Sequence, residues 1–321
     1  MSDYIKGINI LLIGAGNMAK EHAKVLKKLN KNFLVIGRGE KSAHNFEKEI
    51  GMAVYRGEIE KVIRCMDGIP TYAIVAVGVE NLAKTTLTLI SLGVKKILVE
   101  KPAGMDLEQI EKICQMEVEK NSKVFVGYNR RFYSSVEKAR EIVKKDGGVL
   151  SLNFEFTEWP HTIEPLDKPE EVKKVWLLAN STHVIDLAFF FGGRPRQIKA
   201  YVQGELSWHP SGSMYCGAGV TEQDALFSYN ANWEAPGRWG LEVLTKSHRL
   251  YFRPLEQLAI QENKTIKVQQ VEIDDSLDRI YKPGVFKMIN TFLKDVEDDR
   301  LVTIEEHYKN SQYYKIIAEG N

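Results

Sequence analysis

Apolar positions along this chain fall into two textures. Over the first part, solid apolar runs alternate with stretches of helical period. "INILLIG" (8–14), "NFLVIG" (32–37), "TYAIVAVG" (71–78), "KKILVEKP" (95–102) and "KVFVGYN" (123–129) read as strands buried on both faces. Between them "NMAKEHAKVLKKLN", "SAHNFEKEIG", "ENLAKTTLTLISLG" (80–93) and "DLEQIEKICQMEVEK" (106–120) carry helical spacing. Strict alternation predicts a parallel sheet with helices on both faces.

From about residue 150 the period becomes two. "LSLNFEFTEW", "QIKAYVQGEL", "DALFSYNANW", "GLEVLTKSHRLYF" and "TIKVQQVEI" read as consecutive strands, and so predict one open antiparallel sheet. "VFKMINTFLKDVEDD" and "IEEHYKNSQYYKIIAEG" read as terminal helices. With 321 residues the chain suits two domains, placed at 1–125 and 126–321. The fold class expected is α/β, a dinucleotide-binding domain followed by an α+β domain with a large open antiparallel sheet.

Composition narrows the classes of function. A formal net charge of +1 gives no general attraction to nucleic acid or an anionic membrane. Cys65, Cys114 and Cys216 are widely spaced, suggesting neither a disulfide framework nor a metal site. No run reaches the roughly 18 apolar residues of a membrane span. "MSDYIKGINILLIG" lacks the basic start and long apolar core of a signal peptide. The expectation is a cytoplasmic protein acting on a small molecule.

"GAGNMA" (14–19) falls at the first strand-to-helix turn, where a dinucleotide fingerprint must fall. Gly14 permits the tight turn, Gly16 lets backbone approach a pyrophosphate, Asn17 and Met18 open the helix, and Ala19 allows close packing. The acidic residue expected about 20 residues on, for the ribose 2′-hydroxyl, is missing. Gly37 and Arg38 stand there, followed by Lys41 and Ser42. An arginine can pair with a 2′-phosphate, so NADP(H) is favoured over NAD(H). Val77 and Glu100, at the ends of later strands, are further cofactor candidates.

"LLANSTHVIDLAFFFGG" (177–193) poses a separate question, because His183 and Asp186 sit in an apolar run. An unpartnered polar group there costs on the order of 1–3 kcal/mol. Asn180, Ser181 and Thr182 are good N-cap types, placing His183 in the first turn of a helix. The positive end of the helix dipole would keep its imidazole neutral and able to accept a proton. Asp186, one turn on, serves either the histidine or a structural arginine. Lys101 follows a parallel strand, whose carboxyl end faces the ligand crevice.

Together "GAGNMA" (14–19), "EKPAG" (100–104), "GYNRRF" (127–132) and "STHVIDLAFFFGG" (181–193) resemble the glucose–fructose oxidoreductase, inositol dehydrogenase and MocA group (Gfo/Idh/MocA). The resemblance implies a Rossmann domain followed by a substrate domain whose open sheet forms a homodimer or homotetramer interface. It implies that Lys101 contacts the reacting hydroxyl, that His183 takes part in proton transfer, and that the Lys101–Pro102 bond is cis. The aspartate that many members place four residues before the histidine is replaced by Ala179.

The function expected is a nicotinamide-dependent oxidoreductase moving hydride to or from a secondary alcohol or ketone of a carbohydrate, polyol or sugar nucleotide. Two alternatives stay open: a redox-neutral lyase or glycosidase with tightly held dinucleotide, and a non-catalytic dinucleotide-binding regulator. Candidate substrate residues are Tyr128, Arg131 and Asp186, with Trp233 and Arg238 in "NWEAPGRWG" (232–240). His161, Lys168 and Lys173 lie in a long segment (159–176) with the look of a lid.

Overall fold

The structure is a computed structural model, and it describes residues 7–294 and 296–321. The first six residues of the stretch read for a leader, and Asp295 in the stretch 285–299 read as helix, lie outside the described residues. The chain divides into two compact units. One comprises the chain up to Asn129 with Leu277–Tyr308, the other Arg130–Ser276 with Lys309–Asn321.

The chain first lays down β1 (Ile10–Ile13), α1 (Asn17–Lys28), β2 (Phe33–Gly37), α2 (Glu40–Ile50), β3 (Val54–Arg56) and α3 (Ile59–Arg64). It continues with β4 (Tyr72–Val75), α4 (Leu82–Ser91), β5 (Lys96–Val99), α5 (Leu107–Lys120) and β6 (Lys123–Val126). The second unit holds α6 (Ser134–Lys145), β7 (Ser151–Glu155), α7 (Pro160–Ile163), α8 (Glu170–Lys174) and α9 (Thr182–Gly192). Then come β8 (Pro195–Gln203), β9 (Met214–Thr221), β10 (Leu226–Asn232), β11 (Gly240–Leu244), β12 (His248–Phe252), β13 (Ala259–Glu262) and β14 (Val268–Gln270). The chain closes with α10 (Ser276–Ile280), α11 (Val285–Phe292), β15 (Val302–Thr303) and α12 (Ile304–Glu319).

The first sheet has the order β15-β6-β5-β4-β1-β2-β3, parallel except for β15. Every residue of β1 is buried, pairing Ile10–Ile13 against Phe33–Ile36 on one side and Tyr72–Val75 on the other. That two-sided burial is why these strands read as unbroken apolar runs. α1 turns Ala19, His22, Ala23, Val25 and Leu26 inward. This is a Rossmann-type unit with its strand ends at the start of α1.

Residues 277–308 join this first unit, which corrects the expected unbroken second domain of 126–321. The physical reason is apolar. α11 packs on α1 and buries Met288, Ile289 and Phe292, with Phe292 edge-on to Tyr72 and Phe125. β15 then adds to the sheet edge, pairing Val302 with Val126.

The second sheet runs β14-β13-β12-β11-β7-β10-β9-β8. It is mostly antiparallel, but β7 and β10 are parallel, since α7–α9, β8 and β9 intervene before the chain returns beside β7. Leu152, Phe154, Phe227, Tyr229, Leu241, Val243, Leu250 and Phe252 point to one face. Against them lie Val184, Ile185, Leu187, Ala188 and Phe191 of α9, with Tyr314 and Ile317 of α12. α9 is buried almost all round, so "HVIDLAFFFGG" shows no polar face. Among the described residues no helix is long and apolar enough to cross a membrane.

Candidate active site

The turn from β1 to α1 is shaped for close backbone approach. Gly14 has φ +118°, and a Cβ there would collide with the Ala76 carbonyl. Gly16 is the N-cap of α1, and nothing lies within 4 Å of where its Cβ would be. Beside it a hollow of about 250 Å³ is lined by Asn17, Met18, Lys20, Glu21, Glu49 and Lys282. A helix start with its first backbone amides and an open cradle fits a pyrophosphate, while Lys20 in the hollow is paired with Glu49 at 2.6 Å.

At the end of β2, Arg38 is exposed and, among the described residues, makes no hydrogen bond or ion pair. Glu40 accepts from Arg56 Nε at 3.1 Å, and Ser42 Oγ donates to Gly39 O at 2.9 Å. Val77 lies just beyond β4, partly exposed.

The "EKPA" turn follows β5. Ala103 N–H donates to Glu100 O at 3.0 Å across a cis Lys101–Pro102 bond. Two histidines hold this turn that the pattern reading did not single out. His22, fully buried on α1, contacts Glu100 Oε1 through Nε2 at 2.7 Å. His307 of α12 contacts the Pro102 carbonyl through Nε2 at 2.8 Å. Both were detectable, since each is a polar residue on the apolar stripe of its helix. Lys101 itself is partly exposed.

Tyr128, a candidate substrate contact, is buried against His307, 3.4 Å from its Nδ1. Asn129 donates to Pro283 O at 2.8 Å.

In the second unit His183 is buried, its ring centroid 6.2 Å from that of Trp239. The expected N-cap is absent. Leu177–Ser181 form a π-helical turn running directly into α9, and the Thr182 N–H already donates to Leu177 O. Asn180 Nδ2 and Ser181 Oγ instead donate to Glu158 Oε1, at 2.9 and 2.7 Å. Thr182 Oγ1 donates to Leu178 O. The helix-dipole argument for His183 therefore loses its premise. Glu158, also missed, shares the inward parity of Leu152, Phe154 and Phe156, and this marks it as a buried acid.

Asp186 answers to Arg131. Nε and Nη2 of the buried guanidinium donate to the two carboxylate oxygens at 2.8 and 2.7 Å, and Tyr314 Oη donates to Oδ1 at 3.4 Å. Both side chains are buried. Such a fork ties the two residues together structurally, the second of the two tasks the sequence left open for Asp186.

Trp233, another candidate substrate residue, lies in the core. It is 2% exposed, its indole N–H donates to Phe156 O, and Trp208, His209 and Tyr215 surround its ring. Arg238 is different, since its guanidinium lies 4.6 Å from the Trp159 ring and 4.8 Å from the Trp239 ring. In the segment 159–176, His161 stacks on Trp159, Lys173 donates to Glu164 O, and Lys168 is exposed.

Comparison with known proteins agrees with this architecture. Residues 8–128 match the profile of GFO_IDH_MocA, an oxidoreductase family with an NAD-binding Rossmann fold. No curated protein matches the chain by sequence. Among solved structures, an NAD-binding oxidoreductase from Klebsiella pneumoniae is 15% identical with a TM-score of 0.76, covering 97% of this chain and 95% of that one. The UDP-N-acetylglucosamine 3-dehydrogenase GnnA from Acidithiobacillus ferrooxidans is 13% identical with a TM-score of 0.75, covering 96% of each. A levoglucosan dehydrogenase in complex with NADH is 17% identical with a TM-score of 0.78, covering 97% of this chain and 96% of that one. These identities establish a shared fold. Residues 8–128 are thus similar to the GFO_IDH_MocA oxidoreductase family with its NAD-binding Rossmann fold, and the chain as a whole shares the fold of these solved structures.

Proposed function

We propose that the protein is a dehydrogenase or reductase that interconverts a secondary alcohol and ketone on a carbohydrate, polyol or sugar nucleotide, using NADP(H) in preference to NAD(H). The observation that carries the reading is the β1–α1 turn, with Gly14 locked against Ala76 and open space over Gly16. Gly14, Gly16, Asn17 and Met18 would hold the pyrophosphate, with Val77 and Glu100 further along the strand ends. When bound, the nicotinamide supplies the hydride acceptor or donor. Oxidising an alcohol also requires a group that removes the hydroxyl proton. We assign that task to His183, and assign Lys101 to hold the hydroxyl oxygen, where its ammonium stabilises developing negative charge. The exposed face of the second sheet would carry a homodimer or homotetramer contact.

The cofactor preference rests on the end of β2. Among the described residues Arg38 makes no hydrogen bond or ion pair, and Glu40, two residues on, is engaged by Arg56. An arginine–phosphate contact is charge-assisted and can be bidentate, contributing roughly 1.5–3 kcal/mol, or about ten- to a hundredfold in affinity. Titrating NADPH and NADH by nicotinamide fluorescence against wild type and Arg38→Ala tests this. NADPH should bind at least tenfold tighter, and the variant should lose the difference. Equal or tighter NADH binding by wild type, unchanged in the variant, would sink the preference. Steady turnover of a glycoside with no net change in nicotinamide absorbance would replace the dehydrogenase reading with a redox-neutral one.

A further inference from the structure

The wall around Trp239 in the second unit carries two side-chain donors, Arg238 and the Trp239 indole N–H, that make no hydrogen bond among the described residues. Arg238 has its guanidinium between the Trp159 and Trp239 rings, yet its side chain is 46% exposed. Among the described residues it donates no side-chain hydrogen bond, and its recorded acidic neighbour, Glu158 Oε2, stands 3.8 Å from Nη1. The other Glu158 oxygen already accepts from Asn180 and Ser181. The Trp239 indole N–H is buried and, among the described residues, also donates to no acceptor. A second guanidinium, that of Arg130, lies 4.8 Å from the Trp239 ring.

Arg238 is also held in place. Its backbone N–H donates to Glu155 Oε1 at 3.1 Å, and the Trp159 indole N–H donates to Gly237 O at 2.7 Å. Clamping between two indoles removes most of the rotamer freedom an arginine would lose on binding. A flexible surface arginine lacks that preorganisation. The same Trp239 ring neighbours His183, the proposed proton acceptor.

From this juxtaposition we propose that the substrate is an anionic sugar, whose carboxylate or phosphate oxygens accept from Arg238 and Trp239 while its hydroxyl serves His183. The Arg238 guanidinium and the Trp239 indole N–H are both donors, and such a pair suits an acceptor-only ligand group. A hydroxyl of a neutral sugar can also accept from these donors, but it brings no negative charge to the guanidinium, and so gains less from it than an anion does. The proposal rests on the oxidoreductase reading for the task of His183, but its test does not depend on turnover.

Affinities are measured by calorimetry for two pairs of probes, glucuronate against glucose and UDP-N-acetylglucosamine against N-acetylglucosamine. The first pair adds a carboxylate, and the second adds a diphosphate with its nucleoside. At least one anionic member should bind about tenfold or more tightly than its neutral partner, and the pair that responds identifies the anion. In Arg238→Gln that ratio should fall by about tenfold, while Arg238→Lys should keep part of it. NADPH titration of the same samples reports separately on the first unit, so a failed cofactor reading is distinguishable. Equal affinities within both pairs, or a ratio untouched in Arg238→Gln with native circular dichroism, would overturn the proposal.

Discussion

Lys101 and His183 make different demands on an experiment. Lys101→Ala should abolish turnover while leaving dinucleotide affinity within a few-fold, because the cradle at Gly14–Met18 is a separate group of residues. His183→Asn should lower kcat on the order of 10²–10⁴-fold, the usual effect of losing a general base. Near-normal kcat in either variant, measured on protein with native circular dichroism, would remove that residue from the mechanism. At this scale the sequence was partly legible. A polar residue in an apolar run signals a partner, and this logic flagged His183 and Asp186. It did not say which partner: Asp186 turned out to answer Arg131, 55 residues away in sequence. The same logic, applied to the α1 stripe, would have found His22 and its contact with Glu100. Aromatic residues were the least informative, because Trp233 and Tyr128 look alike in core and in binding sites until their neighbours are known.

The β1–α1 turn supplies the test at the level of the element. Its two glycines are present for different reasons, so they should fail differently. Gly14 combines φ +118° with backbone contact at Ala76, so Gly14→Ala should cost stability and lower the thermal midpoint. Gly16 has open space where a side chain would project, so Gly16→Val should melt near wild type yet lose most dinucleotide affinity. A Gly16→Val protein that binds NADPH normally would argue that the cradle is not the pyrophosphate site. The parallel strands were legible because burial on both faces leaves a continuous apolar signature. Shorter pieces such as β3 and α3 were not, since a few residues cannot establish a period. The start of α9 was legible but its capping was not, because Asn180 and Ser181 have the chemistry of caps, whereas Glu158 draws both side chains away. Local propensity gave way to a tertiary hydrogen bond.

For the molecule as a whole, the boundary between the units was the least legible feature. Segment 277–308 follows a run of strands in sequence but its apolar face belongs to α1, and no local pattern reports which unit a helix will cover. The two units can nevertheless be followed separately. All five tryptophans, at 159, 176, 208, 233 and 239, lie in the second, so tryptophan fluorescence reports its unfolding alone. His209 sits in that unit, buried 4.7 Å from Trp233, with Nδ1 2.9 Å from Gly212 O. Burial pushes its imidazole below the ordinary value of 6.5, against the smaller opposing effect of the Gly212 hydrogen bond. The unfolded chain therefore binds this proton more readily than the folded one, and stability rises with pH wherever that difference holds. More than about one pH unit above 6.5 both states are neutral at this site and it contributes almost no slope. As pH falls below 6.5 the second unit should lose stability, by up to about 1.4 kcal/mol per pH unit, until the folded imidazole itself titrates. Urea unfolding followed by tryptophan fluorescence between pH 7.5 and pH 5, in steps of about half a unit, measures that slope. His209→Gln keeps a donor for Gly212 O and removes the titration, so its stability should vary less over the same window. A slope identical in wild type and variant would show that His209 does not set the acid sensitivity of this unit.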